Sequence, residues 1–273
     1  MKRLLTLLVT AILTVCACFT LTACGTADNG SDLQNVIKAG KMVVGVTNFK
    51  PMDYKEGKST EWTGFDAELA RAVCAKMGVE CEIVEINWDN KESEINSKKI
   101  DCLWNGFTYT EERAKNLDFS KPYMKNKQVV VVKATDTAIS KADLNKAGVN
   151  IAAEGGSAGA TAIEENLSNA TFISVEAQTD ALNEVNAGTS KAAVMDYIMA
   201  LSYVGKGDYV GLKIIENDTE LAFAEEEYAI GFRKNSSLDE VVNIILKEPE
   251  MKVTTVAIAT KYNLVNMLTD FVK

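Results

Sequence analysis

Gly155-Gly156-Ser157-Ala158-Gly159 stands between an apolar run that reads as a strand and a stretch that reads as a helix. Glycines let a backbone approach closely, and a helix N-terminus favours an anion, so this loop can hold a carboxylate or a phosphate. The same residues also make an ordinary tight turn. The spacing is not GxxxxGK[ST], which argues against a nucleotide. Arg113, in TEERAK, carries the planar donor fork that matches a carboxylate; read alone, it is a surface arginine among glutamates. Asp196 ends the run KAAVMD and can bind a cation or cap the segment YIMALSYV. Acid–base chemistry has little to draw on beyond Glu154, which has no evident partner. No histidine occurs among the 273 residues, so Ser-His-Asp triads, Cys-His pairs and His-based zinc sites are excluded. Binding without reaction is the expectation, with no metal and no cofactor.

The start of the chain gives its compartment. Lys2 and Arg3 precede an uncharged run over residues 4–23, the layout of a signal peptide. Leu21-Thr22-Ala23-Cys24 looks like a bacterial lipobox, with cleavage before Cys24 and acylation of its thiol; an uncleaved anchor is the rival reading. The polar, acidic GTADNGSD that follows holds no basic stop-transfer cluster. Either way, the rest is expected outside the membrane and anchored to it. Cleavage would take away two of the 29 basic residues and none of the 38 acidic ones, leaving 27 against 38 and a net charge of about −11. Such a surface repels phosphate backbones, so no nucleic-acid partner is expected. Of six cysteines, Cys16 and Cys18 leave with the leader. Cys74 and Cys81 flank a turn at Gly78 that can bring them into disulfide range, a bond that would contribute about 2–3 kcal/mol outside the cell. Two small buried thiols are the alternative. Cys102 reads as a strand core residue.

The elements that must position these residues follow a rhythm. DLQNVIKAG reads as a helix capped by Asp32 and stopped by Gly40, then Lys41–Val46 as a buried strand. DAELARAVCAKMG is an amphipathic helix, CEIVEI a strand, EINSKK a short helical piece and IDCLW a strand. Downstream, VNIAAE, TFISV and KAAVMD are strands separated by the helices ATAIEENLSN and DALNEVNAG. Two successive strand–helix–strand–helix–strand units imply two α/β lobes with parallel sheets. The extended run QVVVVKATD (residues 128–136) joins them, and EYAIGFRK (residues 227–234) precedes a C-terminal helical region. If that region returns to the first lobe, the chain crosses twice, making a hinge and a cleft.

Three blocks in order, IKAGKMVVGVTNFKPM, TGFDAELARAV and KKIDCLWNGFTYTEERAKNLDFSKPY, resemble the family 3 solute-binding proteins of polar amino acid importers. The resemblance runs from about Leu33 to Lys234 and is strongest over residues 100–124; the last forty residues match poorly. It implies a two-lobed, type II periplasmic-binding-protein fold, each lobe a mostly parallel sheet flanked by helices and joined by a two-strand hinge. The implied division is a signal peptide at 1–23, a tether at 24–31, lobe 1 at 32–130 and 228–273, and lobe 2 at 131–227.

A free amino acid is a zwitterion, and burying either charge unpaired costs several kcal/mol. Within the resembling blocks Arg113 becomes the carboxylate fork, helped by Thr108 and, from the other lobe, by Gly156, Ser157 and the Ala158 N–H. Asn105 or Gly106 would turn a carbonyl toward the ammonium. Asp196 matches the position that binds the α-ammonium in the family. Phe49 and Trp88 match the aromatic pair that sandwiches the ligand side chain, while Trp104 and Tyr109 read as packing residues. Glu154, if it faces the cleft, would favour a basic or amide-bearing amino acid. The expected function is capture of a polar or basic L-amino acid by cleft closure and delivery to an ABC permease, by a single copy of the chain on the extracytoplasmic face of a bacterial membrane. The alternatives are a sensor that presents the ligand to a receptor and, further off, a cleft enzyme such as a dehydratase.

Overall fold

The computed structural model describes residues 31–137, 139–215 and 219–273. The leader over 1–23, Cys24 and all of the tether but Ser31 lie outside the described residues. The first helix, α1 (Asp32–Ala39), buries Val36 and ends where Gly40 turns at φ 70°. Its cap is Ser31, whose hydroxyl accepts from the Gln34 N–H, and not Asp32. Asp32 sits in the first turn instead, where its carboxylate pairs with Arg233 at 3.0 Å. A carboxylate beside a buried guanidinium is better satisfied there than at a solvent-exposed cap.

The apolar run after Gly40 forms β1 (Lys41–Val46), followed by the small ribbon of β2 (Tyr54–Lys55) and β3 (Trp62–Thr63). Next come α2 (Phe65–Met77), closed by left-handed Gly78, then β4 (Glu80–Glu85), α3 (Lys91–Asn96) and β5 (Cys102–Leu103). The expected strand IDCLW thus pairs over two residues only, because Trp104 and Asn105 already belong to the loop that forms the cleft. The chain continues through α4 (Arg113–Asn116), β6 (Leu117–Phe119) and the long β7 (Met124–Lys133). The second half runs α5 (Lys141–Leu144), β8 (Asn150–Glu154), α6 (Ala158–Asn166), β9 (Thr171–Val175), α7 (Gln178–Ala187), β10 (Ala192–Asp196) and α8 (Tyr197–Tyr203). Strands β11 (Leu212–Ile214), β12 (Glu225–Tyr228) and β13 (Gly231–Arg233) then lead into α9 (Leu238–Lys247) and α10 (Pro249–Lys261).

These strands build two sheets, ordered β4-β1-β5-β13-β6 and β11-β7-β10-β8-β9, with β12 also on β7. In the first, β1, β4 and β5 are parallel and only β13 opposes the rest. In the second, β8, β9 and β10 are parallel and β7 is antiparallel to β10, β11 and β12. The opposing strand in each sheet is the one that enters from the other: β7 arrives after β6, and β13 after β12. The chain therefore passes between the sheets twice, and the C-terminal helices α9 and α10 pack back on α2.

Helices pack on the sheets, α2 against β1 and β4, and α6 and α7 against β8 and β10. Leu69 and Val73 of α2 are fully buried with Val44 and Cys102, each large side chain contributing about 1.5–3 kcal/mol by leaving water. A separate cluster of Val130, Ile151, Ala153, Ile163 and Val194 covers one face of the second sheet, while Val129, Val131, Ala152 and Ala193, on the other face, belong to the same core as Val44 and Cys102. Loops at the carboxyl ends of the parallel strands of both sheets meet at a shared crevice, the usual place for a ligand in open α/β sheets.

Candidate functional site

The segments leaving β1, β4, β5, β8, β9 and β10 line a part-open crevice of about 380 Å³, open solvent included. The first lobe contributes Thr47, Asn48, Phe49, Trp88, Asn105, Gly106, Thr108 and Arg113, and the second contributes Glu154, Ser157, Ala158, Gln178, Asp196 and Met199. Nine of the ten ligand residues expected from sequence thus line one cavity. The tenth, Gly156, meets it through its carbonyl, which accepts from Arg113 Nη2 at 3.2 Å and Lys91 Nζ at 3.2 Å. These two bonds join the lobes directly across the crevice.

The first-lobe loop is held from behind by buried acids. Gly106, at φ 54°, donates its N–H to Asp66 Oδ2 at 2.7 Å, and a Cβ there would stand 2.5 Å from the Phe49 ring. Only glycine meets both conditions. The Asn105 amide bonds to Asp53 at 2.8 Å and to the Thr47 carbonyl at 3.1 Å, and its oxygen accepts from the Thr47 hydroxyl at 2.7 Å. Its side chain fixes the loop, leaving the backbone to face a ligand. Burial pushes Asp66 up to about 7. Burial and the charge of Asp66 push Asp53 well above the carboxylate range.

Arg113 lies over the Phe107 ring, 4.7 Å from its centroid, and Nη1 donates to the Thr108 carbonyl at 2.7 Å. Desolvation lowers its pKa, yet a guanidinium remains charged in any protein setting. Lys91 sits beside it, donating to the Trp88 carbonyl at 3.1 Å with its ammonium 4.8 Å from the Trp88 ring centroid. Burial, and then the Arg113 charge, pull Lys91 down to about 8.

On the second lobe Ser157 caps α6, its hydroxyl accepting from the Ala160 N–H at 3.1 Å. The N–H groups of the first turn, which the helical ladder cannot use, are then available to an anion. Asp196 takes the cap position of α8 without capping it. Its carboxylate, 5% exposed, accepts instead from Gln178 at 2.6 Å, Gln128 at 3.1 Å, Asn126 at 2.5 Å and the Tyr228 hydroxyl at 2.7 Å. Burial nevertheless raises its pKa, outweighing those bonds. Glu154, 7% exposed, is pushed up to about 8 by burial and by the charge of Asp196, against opposing pulls from Lys91 and Gln178.

Other expectations divide. Trp104 is fully buried, as a packing residue should be, but Tyr109 is 42% exposed, its ring lying perpendicular to that of Phe119. Cys74 and Cys81 stand as neighbouring free thiols joined by a hydrogen bond, and Cys102 is buried in β5. Gln178, Asn126, Gln128 and Lys91 were missed. The polar alternation N-K-Q ahead of four valines in β7 was a usable signal: residues two apart share a face, so Asn126 and Gln128 had to point together.

Residues 42–265 match the family model "Bacterial extracellular solute-binding proteins, family 3". The chain is 33% identical to the arginine-binding extracellular protein ArtP of Bacillus subtilis, over 92% of this chain and 93% of that one. An amino acid ABC transporter substrate-binding protein of Streptococcus pneumoniae, AbpA, solved bound to L-arginine, is similar at 28% identity with a TM-score of 0.72, over 85% of this chain and 99% of that one. The ancestral amino acid-binding protein AncCDT-1, described as a precursor of cyclohexadienyl dehydratase, is similar at 29% identity with a TM-score of 0.74, over 85% and 99%.

Proposed function

Because this chain belongs to the bacterial extracellular solute-binding proteins of family 3, we propose that it captures a free polar or basic L-amino acid in the crevice and hands it to an ABC importer. The observation that carries this reading is that Arg113 and Asp196, one from each lobe, line the same cavity. A guanidinium for the carboxylate and a buried carboxylate for the ammonium neutralise both ends of a zwitterion.

In detail, Arg113 takes the α-carboxylate together with Thr108, Ser157 and the Ala158 N–H. Asp196 takes the α-ammonium, and Phe49 and Trp88 flank the side chain. Glu154 faces the far end and favours a basic or amide-bearing group. The hinge is the antiparallel pairing of 124–127 with 225–228; the implied boundaries of lobe 1 (32–130 and 228–273) and lobe 2 (131–227) shift accordingly, since Gln128–Val131 already pair with β10. Ligand bridging favours the closed form, and the permease reads that shape. Cys24 carries the lipid that holds the protein on the extracytoplasmic face of the membrane, and Cys74 and Cys81 form a disulfide there.

A thermal-shift screen of the mature protein against the twenty amino acids, cystine and ornithine tests this. A true ligand at a hundred times its Kd adds about 2.7 kcal/mol of stability, and Arg113→Ala abolishes the shift without unfolding the protein. A full response in that variant rules out the carboxylate assignment. A rival reading is a cleft dehydratase, favoured by Glu154, whose carboxyl burial pushes up to about 8, the direction a general acid needs. A product assay with prephenate-like acids separates the two.

A further inference from the structure

Two carboxylates on different strands, Asp196 in the wall of the crevice and Glu226 behind it, draw on the same donors. The Asn126 amide nitrogen donates to Asp196 Oδ1 at 2.5 Å and to Glu226 Oε2 at 3.3 Å. The Gln128 amide nitrogen donates to the same two oxygens at 3.1 Å and 2.9 Å. The register explains the meeting: β12 runs antiparallel to β7 with Glu226 opposite Asn126, while Glu225 and Glu227 lie opposite Lys127 and Lys125. Alternation puts Glu226 on the face turned from those lysines. The amide oxygens of Asn126 and Gln128 have no hydrogen-bond partner among the described residues, so both side chains are turned with their donors toward negative charge.

What faces this pair is mostly neutral or acidic. The Tyr228 hydroxyl donates to Asp196 at 2.7 Å and the Thr108 hydroxyl to Glu226 at 3.3 Å. Glu154 stands nearby with its own carboxyl pushed up by burial and by Asp196, so it supplies no compensating cation, and Arg113 acts on both carboxylates through space. Among the described residues, no lysine or arginine forms an ion pair with either one. Two such groups cannot both carry full charge cheaply in a desolvated site, and the smallest counter-ion available in water is a proton.

We propose that Glu226 is a positioning residue of the ammonium subsite: with Asp196 it forms a carboxyl pair that shares one proton in the empty crevice and releases it when the ammonium of an amino acid arrives. On closure the carboxyl O–H bond breaks, the proton passes to water, and the ammonium N–H groups take over its place beside the pair. Charge is conserved, since one cation replaces another. Burial raises both acids, and the charge of Asp196 raises Glu226 further, in the direction the exchange requires. The inference rests on the amino acid reading given above, and it adds a residue on the hinge strand that senses occupancy.

The test is calorimetric titration of the mature protein with L-arginine and with L-glutamine, in buffers of different ionisation enthalpy from about pH 5 to 8. Proton release on binding is expected on the acid side of neutrality. There the apparent affinity rises with pH by up to about tenfold per unit and then levels. Glu226→Gln keeps the shape and the acceptor oxygen, so it should still bind but release fewer protons, with a shallower slope. Glu154→Gln, which removes the other raised acid of the pocket, should leave a release that Glu226→Gln diminishes. Binding by the wild type without proton release overturns the inference, and this arm decides even if the variant fails to fold. A uniform loss of affinity in Glu226→Gln with an unchanged proton count also overturns it, by making the residue merely structural. If none of the twenty amino acids binds at any pH, the capture reading falls and this inference with it.

Discussion

Raising the pH from about 5 to 8 should destabilise the ligand-free protein, and Asp66 accounts for a defined share of that slope. Its carboxylate is fully buried. One oxygen accepts from the Gly106 N–H at 2.7 Å and the Tyr123 hydroxyl at 2.8 Å, and the Trp104 indole N–H adds a weaker pull on the carboxylate. Burial outweighs those bonds and lifts the group from 3.8 to about 7. Between these values the folded protein holds a proton that the unfolded chain has lost, so stability is greatest below about 4 and falls as pH rises toward 7. Within the window from pH 5 to 7, two units at about 1.4 kcal/mol each bound the loss at about 3 kcal/mol. Coupling to Asp53 spreads it over the pair. Asp66→Asn keeps an acceptor for Gly106 and removes the titration, so its urea midpoint should approach the wild type at pH 5 and exceed it at pH 8. Parallel profiles for the two proteins, or wild-type stability rising with pH across this window, would refute the reasoning.

Three further outcomes follow from the loop geometry and the thiols. Gly106→Ala places a methyl 2.5 Å from the Phe49 ring at φ 54°, costing about 1–2 kcal/mol in backbone strain alone; melting should fall and the ligand-induced shift shrink with it. Ser157→Ala loses the α6 cap, about 1 kcal/mol, whereas Ser157→Asp keeps a cap yet sets a like charge against the ligand carboxylate, which costs several kcal/mol in binding. Urea unfolding together with calorimetry therefore separates the two roles of Ser157. Protein isolated from an oxidising compartment should resist thiol alkylation at Cys74 and Cys81 until reduced, and reduction should lower stability by about 2–3 kcal/mol; ready alkylation of Cys81 in the native state would show the pair to be free.

Much of the fold was legible because its signals are local. Gly40 and Gly78 marked helix ends where left-handed turns occur, and Thr171–Val175 reads as a strand at the bounds it has in space. Read alone, Arg113 is a surface arginine, the glycine loop a tight turn and Asp196 a cap; the family resemblance singled them out, and Arg113, Ser157, Ala158 and Asp196 do line one cavity. What stayed hidden depends on contacts across the chain. Asp32 looks like a cap until Arg233, two hundred residues on, claims its carboxylate. Asp196 also reads as a cap, and only the approach of β7 and β12 shows its oxygens taken by Asn126, Gln128 and Tyr228. Lys91 lies in a short charged helix that resembles any solvated face, and its burial follows from the second lobe closing over it.

The central claim is that a guanidinium of one lobe and a carboxylate of the other neutralise the two ends of one amino acid. Calorimetric affinities of wild type and Arg113→Ala for the amino acid selected by melting, and for its decarboxylated amine, test it most directly. Removing the carboxylate from the ligand should weaken wild-type binding by about 10²–10³-fold, the cost of breaking a buried charge pair. The same change should make almost no difference to Arg113→Ala, because the partner is already gone. Losses that simply add, with the variant still distinguishing acid from amine, would contradict the account.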